Sequence, residues 1–242
     1  AKNEKTRVTL AFGPALWARL PGGFGFSAFA LDGLPATQGD LLLWIQGETR
    51  ADVVDAMRVA HRELTRLGRV QLEVAGFVYH DFRDLTGFVD GIGNPQGDKA
   101  HRAALVPEGR AGAGGSFMLT QKWVHRLDAF HALPVTEQER VFGRTKADAV
   151  EFDEDAMPPD SHVGRTDDAD MKIWRRSVPF ATLDEQGLYF VAFSCEQARF
   201  DFLLKRMYGQ DESGVVDRLT HFSTPITNSY WFAPAQEWLL DK

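Results

Sequence analysis

Short apolar runs separated by turn-forming residues set the frame of this chain. Val8–Phe12 predicts a strand, closed by Gly13-Pro14 and a glycine-rich loop, Pro21-Gly22-Gly23-Phe24-Gly25. Leu41–Ile45 is a continuous apolar stretch that stops at Gly47, again of strand length. The period then changes. Thr49 with Asp52 three residues on has capping-box spacing, Val53, Met57, Ala60, Leu64 and Leu67 share one helical face, and Gly68 closes the helix. Val70, Leu72 and Val74 alternate with Gln71 and Glu73, which predicts a half-buried strand. The first part therefore reads strand, strand, helix, strand.

A similar order returns further on. Ser116–Val124 is strand-like, Thr136–Arg144 suits a short helix, and Lys172–Val178 and Leu188–Ser194 are strands. A helix from Glu196 carries Phe200, Leu203, Leu204 and Met207 inward and stops at Gly209, and Tyr230-Trp231-Phe232 completes the set. Two such rounds predict an α+β fold, two packed units with antiparallel sheets. Two long irregular stretches interrupt the pattern, Gly87 to Gly115 and Asp153 to Asp170. Loops of that length inside a compact domain carry function or are disordered, so candidate chemistry is sought there.

Composition narrows the field. The 242 residues suit one large domain or two smaller ones, and 44% hydrophobic with 25% charged residues can build a sizeable core. A formal charge of −7 argues against a nucleic-acid partner, which needs a basic face. No apolar run reaches the roughly 18–20 residues that span a bilayer, so no membrane partner is expected. The one cysteine, Cys195, excludes an internal disulfide and any multi-cysteine metal site, and its apolar surroundings predict a buried thiol. Ala1–Arg7 has no signal-peptide core, so a cytoplasmic location is expected.

Asp90 sits between Val89 and Gly91 in a run of turn-formers ending Gly93-Asn94-Pro95. It either serves its own turn or acts as a catalytic carboxylate, which requires a charge partner. His162 follows Pro158-Pro159; it is either an ordinary surface or core residue or a metal ligand, and a haem iron needs only one protein ligand. Without a CxxCH segment, any haem would be held by packing and salt bridges. In Lys172–Val178 a period of two puts Ile173, Arg175 and Ser177 on one face and Lys172, Trp174 and Arg176 on the other. An inward arginine needs an anion. Ile173 and Val178-Pro179-Phe180 favour Arg175 inward, with Arg176 as the alternative. Arg144 and Lys146 follow a short helix, either as cations at its C-terminus or as an anchor for a ligand carboxylate or phosphate. The run Glu151–Asp155 reads as a solvated acidic face, with a cation site as the alternative.

Taken together these segments resemble the dye-decolourising peroxidases, in particular the bacterial B-type (P-class) branch. The resemblance rests on Gly87-Phe88-Val89-Asp90-Gly91 with Asn94-Pro95, Gly115-Ser116-Phe117, Gln121-Lys122-Trp123-Val124-His125, and Glu137 to Lys146. It continues through Ser161-His162-Val163, Arg175 to Phe180 and Tyr230 to Pro234, in the family's order and over nearly the whole chain. It implies two ferredoxin-like units, residues 1–96 ending in the Asp90 loop and residues 97–242 holding most of the haem site. It implies one haem b per chain, with His162 as the iron ligand and Asp90 and Arg175 as the pair above the opposite face. Ser177 takes a position held by Asn in many relatives, Arg144 matches a propionate-binding arginine, and Glu151 matches an acid near the propionate edge.

The implied activity reduces hydrogen peroxide and oxidises small aromatic or dye-like donors in one-electron steps, in a homo-oligomer. A pocket lined by Phe190 and Phe193 would exclude a bulky dye, which makes Trp174, Trp231 and Tyr189 candidates for oxidation at a distance. Ser177 in place of Asn resembles a subgroup proposed to store haem or release its iron, which gives the alternative function. A non-haem domain binding a small anion through Arg144 and Arg175 is the third reading. Two departures stand out: Gly93 replaces a glutamate usual in relatives, and relatives begin with a further strand and helix, without which the first sheet has an open edge. The chain closes at Leu239-Leu240-Asp241-Lys242 without the extended tail that targets relatives into protein compartments, so a cargo role is not expected.

Overall fold

The computed structural model describes residues 5–240. Its strands are Thr6–Phe12 (β1), Leu41–Gly47 (β2), Ser116–His125 (β3), Trp174–Arg175 (β4), Val178–Ala181 (β5), Gln186–Ser194 (β6) and Ser223–Ala233 (β7). The helices are Pro14–Trp17 (α1), Arg50–Leu64 (α2), Asp98–Ala104 (α3), Leu127–His131 (α4), Val135–Phe142 (α5), His162–Thr166 (α6), Ala198–Met207 (α7) and Gln236–Leu240 (α8).

All strand pairings are antiparallel, in the order β2-β1-β7-β3-β6-β4, with β5 also on β6. The two N-terminal strands meet the rest through one pairing, Phe12 with Phe232. This is the α+β, antiparallel arrangement that the alternation predicts. β3 lies between β7 and β6 and is buried on both faces, which is why its sequence is apolar at odd and even positions alike. On one face Leu119 and Trp123 pack with Ala192, Phe200, Leu204 and Met207, so α7 covers that side. On the other, Met118 packs with Val191, Phe193, Trp231 and Ala104.

The Thr49 cap forms as predicted: its hydroxyl accepts the Asp52 N–H at 3.2 Å and donates to the Asp52 carboxylate at 2.6 Å. The helix it opens ends at Leu64, one turn short of the expected Leu67, which is exposed. Val70–Val74 forms no strand, and Val70 and Leu72 face solvent. Alternation defines the faces a strand would have, but a strand also needs a partner's ladder, and β2 pairs only with β1 among the described residues.

The expected strand Lys172–Val178 is interrupted. Its register against β6 is unbroken, Arg175 opposite Ala192 and Val178 opposite Tyr189. Between them the Arg176 N–H still donates to the Val191 carbonyl at 2.8 Å, but the Val191 N–H goes to the Ser177 hydroxyl, 3.4 Å away, so only half of the ladder pair forms there. Both irregular stretches contain a short helix, α3 and α6, too brief to show a 3.6-residue period.

Candidate active site

β3 and β6 present Leu119, Gln121, Trp123 and His125, and Leu188 and Phe190, on the face that α7 covers only in part. Between this face, α6 and the Asp90 loop lies a cleft enclosing about 1400 Å³, part of it open solvent.

His162 enters the cleft from the first turn of α6. Ser161, fully buried, caps that helix: its hydroxyl accepts the Gly164 N–H at 3.2 Å and donates to the Pro158 carbonyl at 2.7 Å. The approach to Ser161 needs glycine at 143. Gly143 ends α5 at φ +84°, and a Cβ there would stand 2.6 Å from Met157 Sδ and 2.8 Å from Ser161 Oγ. The ring of His162 is aimed by a residue the sequence reading did not single out, Asp217. His162 Nδ1 lies 2.7 Å from Asp217 Oδ2, and Asp217 is 0% exposed. A carboxylate only accepts, so Nδ1 carries a hydrogen, and in the neutral imidazole the lone pair then lies on Nε2. Asp217 Oδ1 also accepts the Leu219 N–H at 2.9 Å, which caps the short 3-10 turn Arg218–His221. Fifty-five residues separate the pair, and no local signal in the sequence joins them.

The Asp90 loop forms the facing wall. Phe88, 1% exposed, stacks on Phe142 with centroids 3.9 Å apart and anchors the loop to α5. Gly91, at φ +77°, donates its N–H to Asp90 Oδ1 at 2.7 Å. Arg144 ties into the same loop by donating from Nη2 to the Val89 carbonyl at 2.6 Å. The Nε atoms of Arg144 and of Arg175 are buried and without a hydrogen-bond partner. Burial pushes the Arg144 guanidinium below its ordinary pKa and the neighbouring charge of Arg175 adds to this, while Asp90 and Glu151 oppose it. Two guanidiniums and two carboxylates thus share one electrostatic neighbourhood. Arg175, not Arg176, is the inward residue; Arg176 is exposed and lies 5.5 Å over the Trp174 ring.

A third group escaped the sequence reading. Asp84, His125 and Ser223 come from three separate segments and all line the cleft. His125 Nδ1 is 2.7 Å from the Ser223 hydroxyl and Nε2 is 3.2 Å from Asp84 Oδ1. Asp84 Oδ2 accepts from both the N–H and the hydroxyl of Thr86. Burial presses the Asp84 pKa upward, but the bonds and charge from His125, with those from Thr86, outweigh it and hold the carboxyl below its ordinary value.

The cleft therefore gathers Asp90, Arg144, Glu151, His162, Arg175 and Phe190. It does not gather Phe193 or Ser177. Phe193 is three residues beyond Phe190 on a strand and so faces the opposite side, between Trp44 and Trp174. Ser177 is turned to the Val191 N–H and is not among the residues lining the cleft. Trp174, Tyr189 and Trp231 pack in that opposite cluster, where Trp231 donates to the Thr120 hydroxyl at 2.8 Å. Cys195 is buried, as expected.

Comparison with known proteins places these features in a family. The family profile described as Dyp-type peroxidase, C-terminal, matches residues 81–238. The chain is 41% identical over 216 residues to a dye-decolorizing peroxidase of Mycobacterium tuberculosis, an alignment covering 85% of this chain and 64% of that protein. The chain thus spans less than two thirds of that relative's length. Among solved structures, the encapsulated DyP-type peroxidase of Mycobacterium smegmatis superposes with a TM-score of 0.91 at 34% identity, covering 99% of this chain and 84% of that one. A Rhodococcus jostii RHA1 DypB variant in complex with heme superposes at 0.90 with 32% identity, covering 99% and 82%.

Proposed function

This chain belongs to the Dyp-type peroxidase family, and on that premise we propose that its cleft binds one haem b, reduces hydrogen peroxide and oxidises small aromatic or dye-like donors in one-electron steps. The observation that carries this reading is the His162–Asp217 pair. A histidine with Nδ1–H fixed by a fully buried carboxylate presents Nε2 as a ready iron ligand, the arrangement in which a carboxylate partner orients a metal-bound imidazole.

The residues present fit a haem. Arg144 and Arg175 each hold a buried Nε without a partner in an otherwise largely apolar cleft, which suits a planar ligand carrying carboxylates. When bound, haem supplies the redox centre that passes two electrons to peroxide and recovers them singly from two donor molecules; two protons complete the formation of two waters. The chain's own residues handle the charge and the protons. Asp90, its Oδ1 already held by the Gly91 N–H, keeps the second oxygen for proton transfer to and from peroxide. Arg175 offsets the negative charge that develops as the peroxide bond lengthens, a preorganised donor in a partly dry site. Arg144 and Glu151 lie together at the carboxylate-binding edge, and Phe190 excludes water from one wall.

Ser177 has a supporting role in this reading, holding the strand that carries Arg175. The alternative of a haem-handling protein rested on Ser177 and gains no support from its place in the fold. Division at residues 96 and 97 into two ferredoxin-like units, a cytoplasmic location and a homo-oligomer complete the proposal. Among the described residues no helix is long and apolar enough to cross a membrane.

An absorbance scan after adding hemin to the purified protein tests the reading. A Soret band that His162→Ala abolishes or shifts, together with peroxide-dependent oxidation of a simple dye, is expected. A Soret band unchanged in His162→Ala refutes the ligand assignment, and haem binding without turnover refutes the enzyme.

A further inference from the structure

We infer that Asn94 is a positioning residue for Arg175: its side-chain amide substitutes for a neighbouring strand on the open edge of β4. Asn94 Nδ2 donates to the Arg175 carbonyl at 2.8 Å, and Asn94 Oδ1 accepts the Arg175 N–H at 2.9 Å. β4 is only two residues long and pairs with β6 on its other edge, through Trp174 with Phe193 and Arg175 with Ala192. One side chain thus satisfies both main-chain groups of Arg175. A primary amide has the donor and acceptor geometry of a peptide unit. Aspartate at neutral pH lacks the donor, alanine lacks both groups, and glutamine is one methylene too long.

The clamp is itself held. Asn94 N–H donates to the Gly91 carbonyl at 3.1 Å, and Pro95 biases Asn94 towards extended backbone. The same turn carries Asp90, with Gly91 bonded to its carboxylate. One turn therefore holds the Asp90 carboxylate at one end and the Arg175 backbone at the other. This matters because Arg175 Nε has no hydrogen-bond partner, so the backbone is the firm reference for where its guanidinium sits. That Arg175 acts on peroxide rests on the function proposed above; that Asn94 holds its backbone does not.

The experiment uses hemin-reconstituted protein in five forms: wild type, Asn94→Ala, Asn94→Asp, Arg175→Ala and the Asn94→Ala, Arg175→Ala double variant. Azide affinity for the ferric haem is read from the Soret shift, with thermal midpoints alongside. Asn94→Ala is expected to weaken azide binding on the order of tenfold to a hundredfold, the usual consequence of a displaced catalytic group. It should add little to the loss in Arg175→Ala. Asn94→Asp is expected to share the defect at neutral pH and to recover as the introduced carboxyl is protonated, since the acid O–H restores the donor to the Arg175 carbonyl. Wild-type affinity in Asn94→Ala, losses that add in the double variant, or a pH-independent Asn94→Asp would each overturn the inference. Amide exchange of the haem-free wild type decides the matter if the variants do not fold. A protected Arg175 N–H supports the clamp, and one exchanging at loop rates removes it. The exchange result stands whether or not haem binds, which keeps failure of the inference separate from failure of the proposed function.

Discussion

Asp217→Asn isolates the charge that orients His162. The native carboxylate is 0% exposed, lies 2.7 Å from His162 Nδ1 and accepts a second bond from Leu219 N–H. The amide keeps the volume and can keep the Leu219 bond through its oxygen. It then turns its NH₂ towards Nδ1, which must become the acceptor. The imidazole hydrogen moves to Nε2, and the lone pair needed for iron is lost there. The alternative orientation leaves the Leu219 N–H facing a donor. A hydrogen bond to a charged group is worth about 1.5–3 kcal/mol. At about 1.4 kcal/mol per factor of ten, that is roughly a 10- to 150-fold loss in affinity, which overlaps the roughly 10- to 100-fold range found for partners of metal-bound histidines. Hemin titrated into the haem-free protein and followed by the Soret band gives the dissociation constant directly. Far-ultraviolet circular dichroism checks that α6 and the 3-10 turn persist. An Asp217→Asn protein that folds and binds hemin as tightly as wild type would show that the carboxylate does not set the histidine tautomer.

Other expectations follow from the same geometry. Mixing with peroxide and following the Soret change, Arg175→Ala should slow the reaction far more than Asp90→Asn, because Asp90 Oδ1 is already occupied by Gly91 while Arg175 Nε is buried and unpaired; the reverse order would exchange their roles. Gly93→Glu adds a Cβ that would stand 3.5 Å from Arg175 Nη2, close enough for the carboxylate to pair with it, so the same reaction should slow on the order of tenfold, and an unaltered rate would show that Arg175 remains available. Asp84 has a folded pKa below its ordinary value, so its stabilising contribution is complete above the unfolded value of about 3.9 and is lost as pH falls through the depressed one. Urea midpoints from pH 7 to 3 should fall in wild type and fall less steeply in Asp84→Asn, which should already be weaker at pH 7; parallel curves would refute the linkage.

The strands and long helices were legible because their evidence is local. Thr49 with Asp52 announces the start of α2, and Phe200, Leu203, Leu204 and Met207 mark the buried face of α7. Strand period also contained more than was taken from it, since Phe190 and Phe193, three apart, cannot share a face. The site was legible only in part. Asp90, His162 and Arg175 were reached through short motifs, and Arg175 over Arg176 through the apolar neighbours of its strand. Asp217, Asp84 and Ser223 were not reached, because each matters through one partner brought from 41 residues away or more. The 70–74 segment failed for the same reason in reverse: its pattern was local, but its partner was not there to pair with.

The elements that carry the chemistry are those least able to stand alone. β4 has two residues and α6 five, and the Asp90 loop has no regular structure at its core. Helices this short are not stable in isolation. Each is fixed by a cross-tie: Asn94 to the Arg175 backbone, Asp217 to His162, and Arg144 to the Val89 carbonyl. Those ties leave the functional ends of the same side chains unsatisfied. A buried N–H without a partner costs about 1–3 kcal/mol, and the cleft has two on its guanidiniums. Burial and the mutual repulsion of Arg144 and Arg175 add to that cost, and Asp90 and Glu151 offset only part of it. An apolar core would not keep such groups, because truncating both arginines would relieve the strain. On the proposed reading this cost is met by a ligand that carries negative charge into the cleft, and the haem carboxylates and the polarised peroxide are the two that do so. Binding of such a ligand would add to the stability of the folded chain.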